Sequence, residues 1–321
     1  MASAFPSAAV GAAKAARSKA SPTPNGRPWA RIFLGGLALW IATVAVTFAT
    51  GNSNLVPTVI LVGSFLVPVT FVAYAFRRAD EAVNAQRIFT AFIYGGTLGV
   101  LGASLLEAEF LKQPNAGTYL YVGLIEEAVK LAALWLVARR LPRYTMRDGI
   151  VLGAAVGFGF AALESAGYAF NALFTMNGLS LTSLVETELL RGILTPVGHG
   201  LWTAILGGAL FATAARYGRP RLTGSVVGWY ALVAGLHALW DASRGIAVWL
   251  TLLLTGTPVQ WLMIRLGRVP VPTEAQVHLF TALNWILLAG DALIGLLVLR
   301  QRWRRATAAE PAPAAESRPV A

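Results

Sequence analysis

Hydrophobic residues in this chain gather into long unbroken runs, not into the short periodic stretches of a water-soluble domain. A helical run of about 18 or more apolar residues crosses a hydrocarbon core of roughly 30 Å. Such runs lie at 32–49, 56–76, 88–106, 118–138, 149–172, 192–215, 223–242 and 279–299. Each predicts a membrane-crossing helix, so the expected fold is an all-α, polytopic transmembrane bundle of about eight spans. The stretch 246–264 is also apolar, but Thr255-Gly256-Thr257-Pro258 divides it into pieces too short to span. Making it a ninth span would put a very basic C-terminus outside. A re-entrant or outer-surface hairpin before the last span is therefore expected, its free backbone groups covered by protein or water. The first run follows a long basic lead-in and no good small-residue cleavage site follows it, so it reads as an uncleaved span. The domain reading is a disordered basic arm over 1–28, a membrane domain over 29–302 with its chemistry-bearing core at 118–245, and a disordered Ala/Pro/Glu-rich tail over 303–321.

Composition agrees with the pattern. Apolar residues make up 56% and charged ones only 13%, against about a quarter charged in soluble domains. The net charge of +11 does not imply nucleic acid, because the basic residues cluster between apolar runs. Arg77, Arg78 and Arg87 follow the second run; Arg139, Arg140, Arg143 and Arg147 follow the fourth; Arg300, Arg302, Arg304 and Arg305 follow the eighth. By the positive-inside rule these ends and both termini face the cytoplasm of a multi-pass cell-membrane protein surrounded by lipid bilayer. With no cysteine, disulfides and thiolate metal sites are excluded, and the three histidines become informative.

Ionisable groups at membrane depth are expensive and are usually functional or paired. Run four carries Glu126, Glu127 and Lys130; run five has Phe160-Ala-Ala-Leu-Glu164-Ser165; run six has His199; run seven has His237 and Asp241; run eight has Asp291. Residues four apart share a helix face, which makes Glu126 a neighbour of Lys130 and His237 a neighbour of Asp241. Glu127 sits about 100° around from Glu126, so the lysine neutralises one carboxylate and leaves the other for chemistry. Counted along alternating helices, Glu126, Glu164, His199 and His237 fall about 9–13 Å below the outer surface. One site in the outer half of the membrane is expected. Peptide hydrolysis needs a nucleophilic water, a base and a means of stabilising an oxyanion. Histidines and carboxylates are also what a hydrolytic zinc takes as ligands.

These residues carry a resemblance. EEAVK at 126–130, FAALE at 160–164, the single His199 and HALWD at 237–241, in that order and within successive spans, resemble the PrsW family of membrane-embedded proteases, relatives of the CAAX-prenyl endopeptidase and bacteriocin-processing superfamily. The resemblance covers about 118–245. It implies an intramembrane endopeptidase, often described as a metalloprotease, acting on transmembrane protein substrates; some members cleave membrane-anchored anti-sigma factors. It further implies that Glu126 and Glu127 activate water, Glu126 being the preferred base. Glu164, His199, His237 and Asp241 would bind a divalent metal, zinc first, or polarise the scissile carbonyl, and a metal-free route through the same residues stays open. His237 thus has a catalytic as well as a ligand role, with Lys130, Phe160 and Ser165 in support. Ser165 departs from the family pattern, in which an Asn often follows the second-motif glutamate.

Blander readings stand beside these. Glu126–Lys130 alone is an ordinary intramembrane ion pair, a lone histidine an interhelical hydrogen-bond partner, and Gly153 and Gly157 the mark of a close helix contact. Glu186 and Glu188 read as surface charges of an outer loop, His278 as solvated, and Trp40, Trp135, Trp202, Trp240 and Trp285 as belt and packing residues. The rival functions are an ion- or proton-coupled transporter and a non-catalytic scaffold. Transport is disfavoured because runs one to three carry no ionisable residue and no inverted repeat is visible. The sequence leaves oligomeric state, substrate and cleavage site open.

Overall fold

The computed structural model describes residues 27–78, 83–113, 115 and 117–308. Helix α1 spans Pro28–Thr50, α2 Val56–Phe76, α3 Ala85–Phe110, α4 Thr118–Ala138 and α5 Met146–Ala172. A two-residue-per-strand hairpin pairs Phe174 with Leu179. It leads into α6 at Leu181–Leu194, a 3-10 turn at Thr195–Val197 and α7 at His199–Tyr217. Helix α8 runs Gly224–Thr255, α9 Pro258–Arg265 and α10 Glu274–Ala308. The expected arm lies almost wholly outside the described residues. The tail reading is corrected at its start: α10 continues through residues 303–308, with Ala306 buried.

Six segments among the described residues are long and apolar enough to cross a membrane: α1, α2 with its leading turn, α3, α5, the composite Leu181–Tyr217, and α10. Helix α4, with 21 residues, has the length but carries Glu126, Glu127 and Lys130, and the 32-residue α8 carries His237, Asp241 and Arg244. These two site-bearing helices stand outside the six. Large apolar side chains such as Leu34, Leu39, Leu105 and Ile286 stay more than half exposed, a surface that fits lipid and would be a liability in water.

Two boundaries differ from the sequence reading, for local reasons. Run six is not one helix from residue 192; Pro196 and Gly198 break it, so α7 begins at His199 itself. Run seven does not stop at residue 242. It continues without interruption to Thr255, and only Pro258–Arg265 forms the separate piece. The break falls at the Thr-Gly-Thr-Pro signal, where the Thr257 hydroxyl and the Gln260 side chain form a capping box for α9. Gln260 also exchanges two amide hydrogen bonds with Gln276 of α10, at 2.9 and 3.0 Å.

Helix α5 is the centre of the bundle, packed between α3, α7 and α2. Glycines make that approach possible. Gly149, Gly153 and Gly157 lie against the carbonyl oxygens of Gly207, Thr203 and His199 on α7, so that a Cβ at any of them would collide with backbone. On another face, Gly159 meets Phe92 and Gly95 of α3 meets Val156 in the same way. Small-residue stripes of this kind let helix backbones approach closely where lipid supplies no hydrophobic drive. The consequence for function is that the start of α7, and with it His199, is held against α5.

Candidate active site

Helix α4 delivers three buried charges on neighbouring positions. Glu127 and Lys130 have no exposed surface and Glu126 is 7% exposed. The lysine Nζ is 2.6 Å from Glu127 Oε1 and 3.4 Å from Glu126 Oε2. Lys130 thus touches both acids, the i,i+3 pair more tightly than the i,i+4 pair expected from face geometry. Its Nζ is also 2.9 Å from His199 Nδ1 and 4.4 Å from the centre of the Phe160 ring.

Each histidine has a carboxylate behind it. His199 Nε2 lies 2.9 Å from Glu164 Oε2 on α5, and His237 Nδ1 lies 3.0 Å from Glu127 Oε1. An ionised carboxylate only accepts, so these contacts make Nε2 of His199 and Nδ1 of His237 the donors. The opposite nitrogens converge: His199 Nδ1 is 3.8 Å and His237 Nε2 3.6 Å from Glu126 Oε2. Asp241 Oδ2, one turn along α8, is 3.4 Å from His237 Nε2. The rings are 5.0 Å apart, and the fully buried indole of Trp202 stacks on His237 at 4.7 Å. Trp202 is therefore part of the site, not of a belt, because it sits one turn after His199 on the inward face of α7.

A cavity of about 150 Å³ opens beside this cluster, walled by Glu164, Tyr168, Arg191, His199, Trp240 and Asp241 among others. A polar cleft against two imidazoles, four carboxylates and an ammonium, with packed apolar helices around it, is suited to activating water. Comparison with known proteins agrees. Residues 30–266 match the family described as PrsW family intramembrane metalloprotease.

The chain belongs to the PrsW family. No curated protein and no solved structure matches it. The family match starts in α1 and ends at residue 266, just past α9, so the PrsW region is wider than the motif stretch and leaves only the last helix beyond it.

Glu126, His199 and His237 can each place one ligand atom so that all three lie within 4.8 Å of one another. Two nitrogens and one oxygen, with each histidine backed by a carboxylate, is the arrangement metal-binding histidines usually show. One contact competes. The Lys130 ammonium occupies the lone-pair side of His199 Nδ1, though Glu127 offers it a shorter partner. The donor set fits a divalent metal. Glu164 and Asp241, expected as ligands, stand apart from that three-residue group: Glu164 backs His199, and Asp241 lies to one side of His237.

Several residues of the PrsW site or its surroundings escaped the sequence reading. Arg191 donates from Nη2 to Glu164 Oε2 at 2.5 Å and from Nε to Ser165 Oγ at 2.7 Å. Glu188 is not a surface charge; it is 5% exposed and accepts from Trp40 Nε1 at 2.8 Å and Ser64 Oγ at 3.2 Å. Glu107 lies in the last turn of α3, which runs beyond the apolar run to Phe110, so the first three spans are not free of acidic groups. An i, i+3 spacing of Glu188 and Arg191 on one amphipathic helix was the available signal. Asp291 is buried on α10, and neither oxygen has a hydrogen-bond partner among the described residues. His278 is exposed, as expected.

Proposed function

We propose that this protein is an intramembrane endopeptidase that hydrolyses peptide bonds of membrane-anchored protein substrates. The observation that carries the reading is the convergence of His199 Nδ1 and His237 Nε2 on Glu126 Oε2, with Glu164 and Glu127 holding the far sides of the two rings. In this reading His199 and His237 hold a divalent metal, zinc by the chemistry of its ligands. When bound, the metal acts as a Lewis acid that makes water nucleophilic near neutral pH.

Glu126 is the group with the loosest ties, its contacts running from 3.4 to 3.8 Å. It accepts a proton from the attacking water and returns it to the leaving amine, so that one water and one peptide bond become a carboxylic acid and an amine. Glu127 is bound to Lys130 and His237 and orients both. Asp241 places negative charge beside Nε2 of His237, on the side where the metal would sit, and Phe160 and Trp202 exclude water from the ring faces. The substrate segment must be unwound to present its carbonyl, because a helix hides its carbonyls in its own hydrogen bonds. Both termini face the cytoplasm by the distribution of arginines, α4 and α8 cross the membrane despite their charges, and the site lies in its outer half. The transport reading gains nothing from a cluster in which the ionisable groups close on one point.

The test is cleavage of single-span substrates in proteoliposomes, with product masses read directly, by wild type, Glu126→Gln and His237→Ala. Wild type should cut and both variants should not; cleavage that survives in both removes the mechanism. Metal content of the same preparations should fall sharply in His237→Ala and less in Glu126→Gln, whose amide oxygen remains a weaker donor beside the two imidazoles.

A further inference from the structure

Arg191 reaches the site from α6, which carries none of the motif residues. Its Nε and Nη2 are fixed by Ser165 and Glu164, and its guanidinium carbon lies 4.2 Å from the Tyr168 ring centre. Ser165, the departure from the family pattern, therefore has a defined partner. Helix α6 is itself tied down one turn away, where Glu188 accepts from Trp40 and Ser64. The guanidinium is held in one orientation by three residues of α5, on a helix that Trp40 and Ser64 tie to α1 and α2.

That orientation leaves donors over. A guanidinium offers five N–H groups, and two of them are satisfied by Ser165 and Glu164. Nη1 has no acceptor among the described residues, while the side chain remains 25% exposed in the wall of the cavity that also contains His199 and Asp241. Trp202, whose indole N–H is buried without an acceptor, belongs to the same wall. If Glu164 needed only orientation, His199 would supply it at 2.9 Å. An unwound substrate brings the converse problem, since each main-chain carbonyl lacking a donor in an apolar setting is strongly unfavourable.

We infer that Arg191 is a substrate-anchoring residue, its Nη1 donating to a main-chain carbonyl of the unwound segment beside the scissile bond. This rests on the protease reading above and adds the group that grips the chain. Arginine is required because a planar fork can hold Glu164 and Ser165 with two nitrogens while presenting the third; a lysine has one nitrogen for all three tasks.

The experiment uses the full-length protein in nanodiscs and a fluorescent single-span peptide with a Gly-Pro break at its centre. Binding is measured to Glu126→Gln and to Glu126→Gln combined with Arg191→Gln, so that no turnover interferes. The double variant should bind at least ten-fold more weakly, since a hydrogen bond from a charged donor is lost. On the active background Arg191→Gln should raise KM by a similar factor, with a smaller change in kcat and unchanged metal content. Arg191→Lys, which keeps the charge beside Glu164, should also raise KM; it serves if the Gln variant folds poorly. Equal peptide affinity in the two silenced proteins overturns the assignment. A wild type that never cuts, while the silenced proteins still differ in affinity, removes the hydrolase reading and leaves Arg191 as a peptide-binding residue.

Discussion

Exchanging the two adjacent acids of α4 for their amides should separate chemistry from architecture. Glu127 is wholly buried and its Oε1 takes both the Lys130 ammonium at 2.6 Å and His237 Nδ1 at 3.0 Å. Glu127→Gln preserves shape but removes charge from two hydrogen bonds. A bond to a charged group contributes about 1.5–3 kcal/mol and a neutral one about 0.5–1.5, so the variant should lose roughly 2–3 kcal/mol. At about 2–4 °C per kcal/mol for a large domain, the unfolding midpoint in detergent should fall by roughly 4–12 °C. Glu126 makes only long contacts, 3.4 Å to Lys130 and 3.6 Å to His237. Glu126→Gln should shift the midpoint less than Glu127→Gln does, because its contacts are all longer, yet lose cleavage by at least about 100-fold, the usual share of a general base. Thermal unfolding followed by tryptophan emission, beside cleavage of a reconstituted substrate, reads both. If Glu126→Gln proves the more destabilised of the two, or Glu127→Gln is as stable as wild type, the division of roles is wrong.

Other outcomes are equally open to measurement. Gly157→Ala puts a methyl group against the His199 carbonyl oxygen; overpacking of about 1–3 kcal/mol is expected, together with metal loss, whereas Gly167→Ala, with nothing within 4 Å, should match wild type in both thermal and metal assays. Glu188→Ala strands the Trp40 and Ser64 donors and should cost about 1–3 kcal/mol, with Glu188→Gln recovering most of it; equal midpoints for Ala and wild type would show that α6 is not tied to α1 and α2 there. Chelation should abolish cleavage and zinc should restore it, and because these ligands bind metal in deprotonated form, calorimetric titration of metal in two buffers of different ionisation enthalpy should reveal protons released, with none released arguing against a histidine-carboxylate site.

How much of this was legible in the residues depends on the kind of signal. Length and apolarity located the helices, since a run such as 56–76 has no other low-energy form in lipid. Spacing placed Glu126, Glu127 and Lys130 together on α4 and His237 beside Asp241. What spacing could not supply was pairing between helices. That Glu164 backs His199 follows from how closely α5 lets α7 approach, and Arg191 closes on Glu164 where α6 packs against α5. That approach depends on glycines whose partners lie about fifty residues away, at Gly149 against Gly207 for example. Glu188 was misread for a related reason: α6 is amphipathic and short, so its acids look like those of a loop until Trp40 and Ser64 are brought against it. The helix break before the last long helix was half legible. The Thr-Gly-Thr-Pro break was visible, but the continuity of α8 up to Thr255 was not, because Arg244 and Gly245 interrupt the apolar pattern without interrupting the helix.

Charge balance joins the geometry to the metal. The groups in mutual contact comprise Glu126, Glu127, Glu164 and Asp241 against Lys130 and Arg191. Four formal negative charges face two positive ones around a pair of imidazoles, in a setting where unbalanced charge is strongly disfavoured. Lys130 and Arg191 are spent on Glu127 and Glu164, the carboxylates that back the histidines. The less compensated acids are Glu126, whose contact with Lys130 is the longer one, and Asp241, and these are the ones on the His237 Nε2 side. A divalent cation held between the two rings would bring the cluster to neutrality at the place where the deficit lies, with Lys130 and Arg191 already balancing the carboxylates that back the histidines.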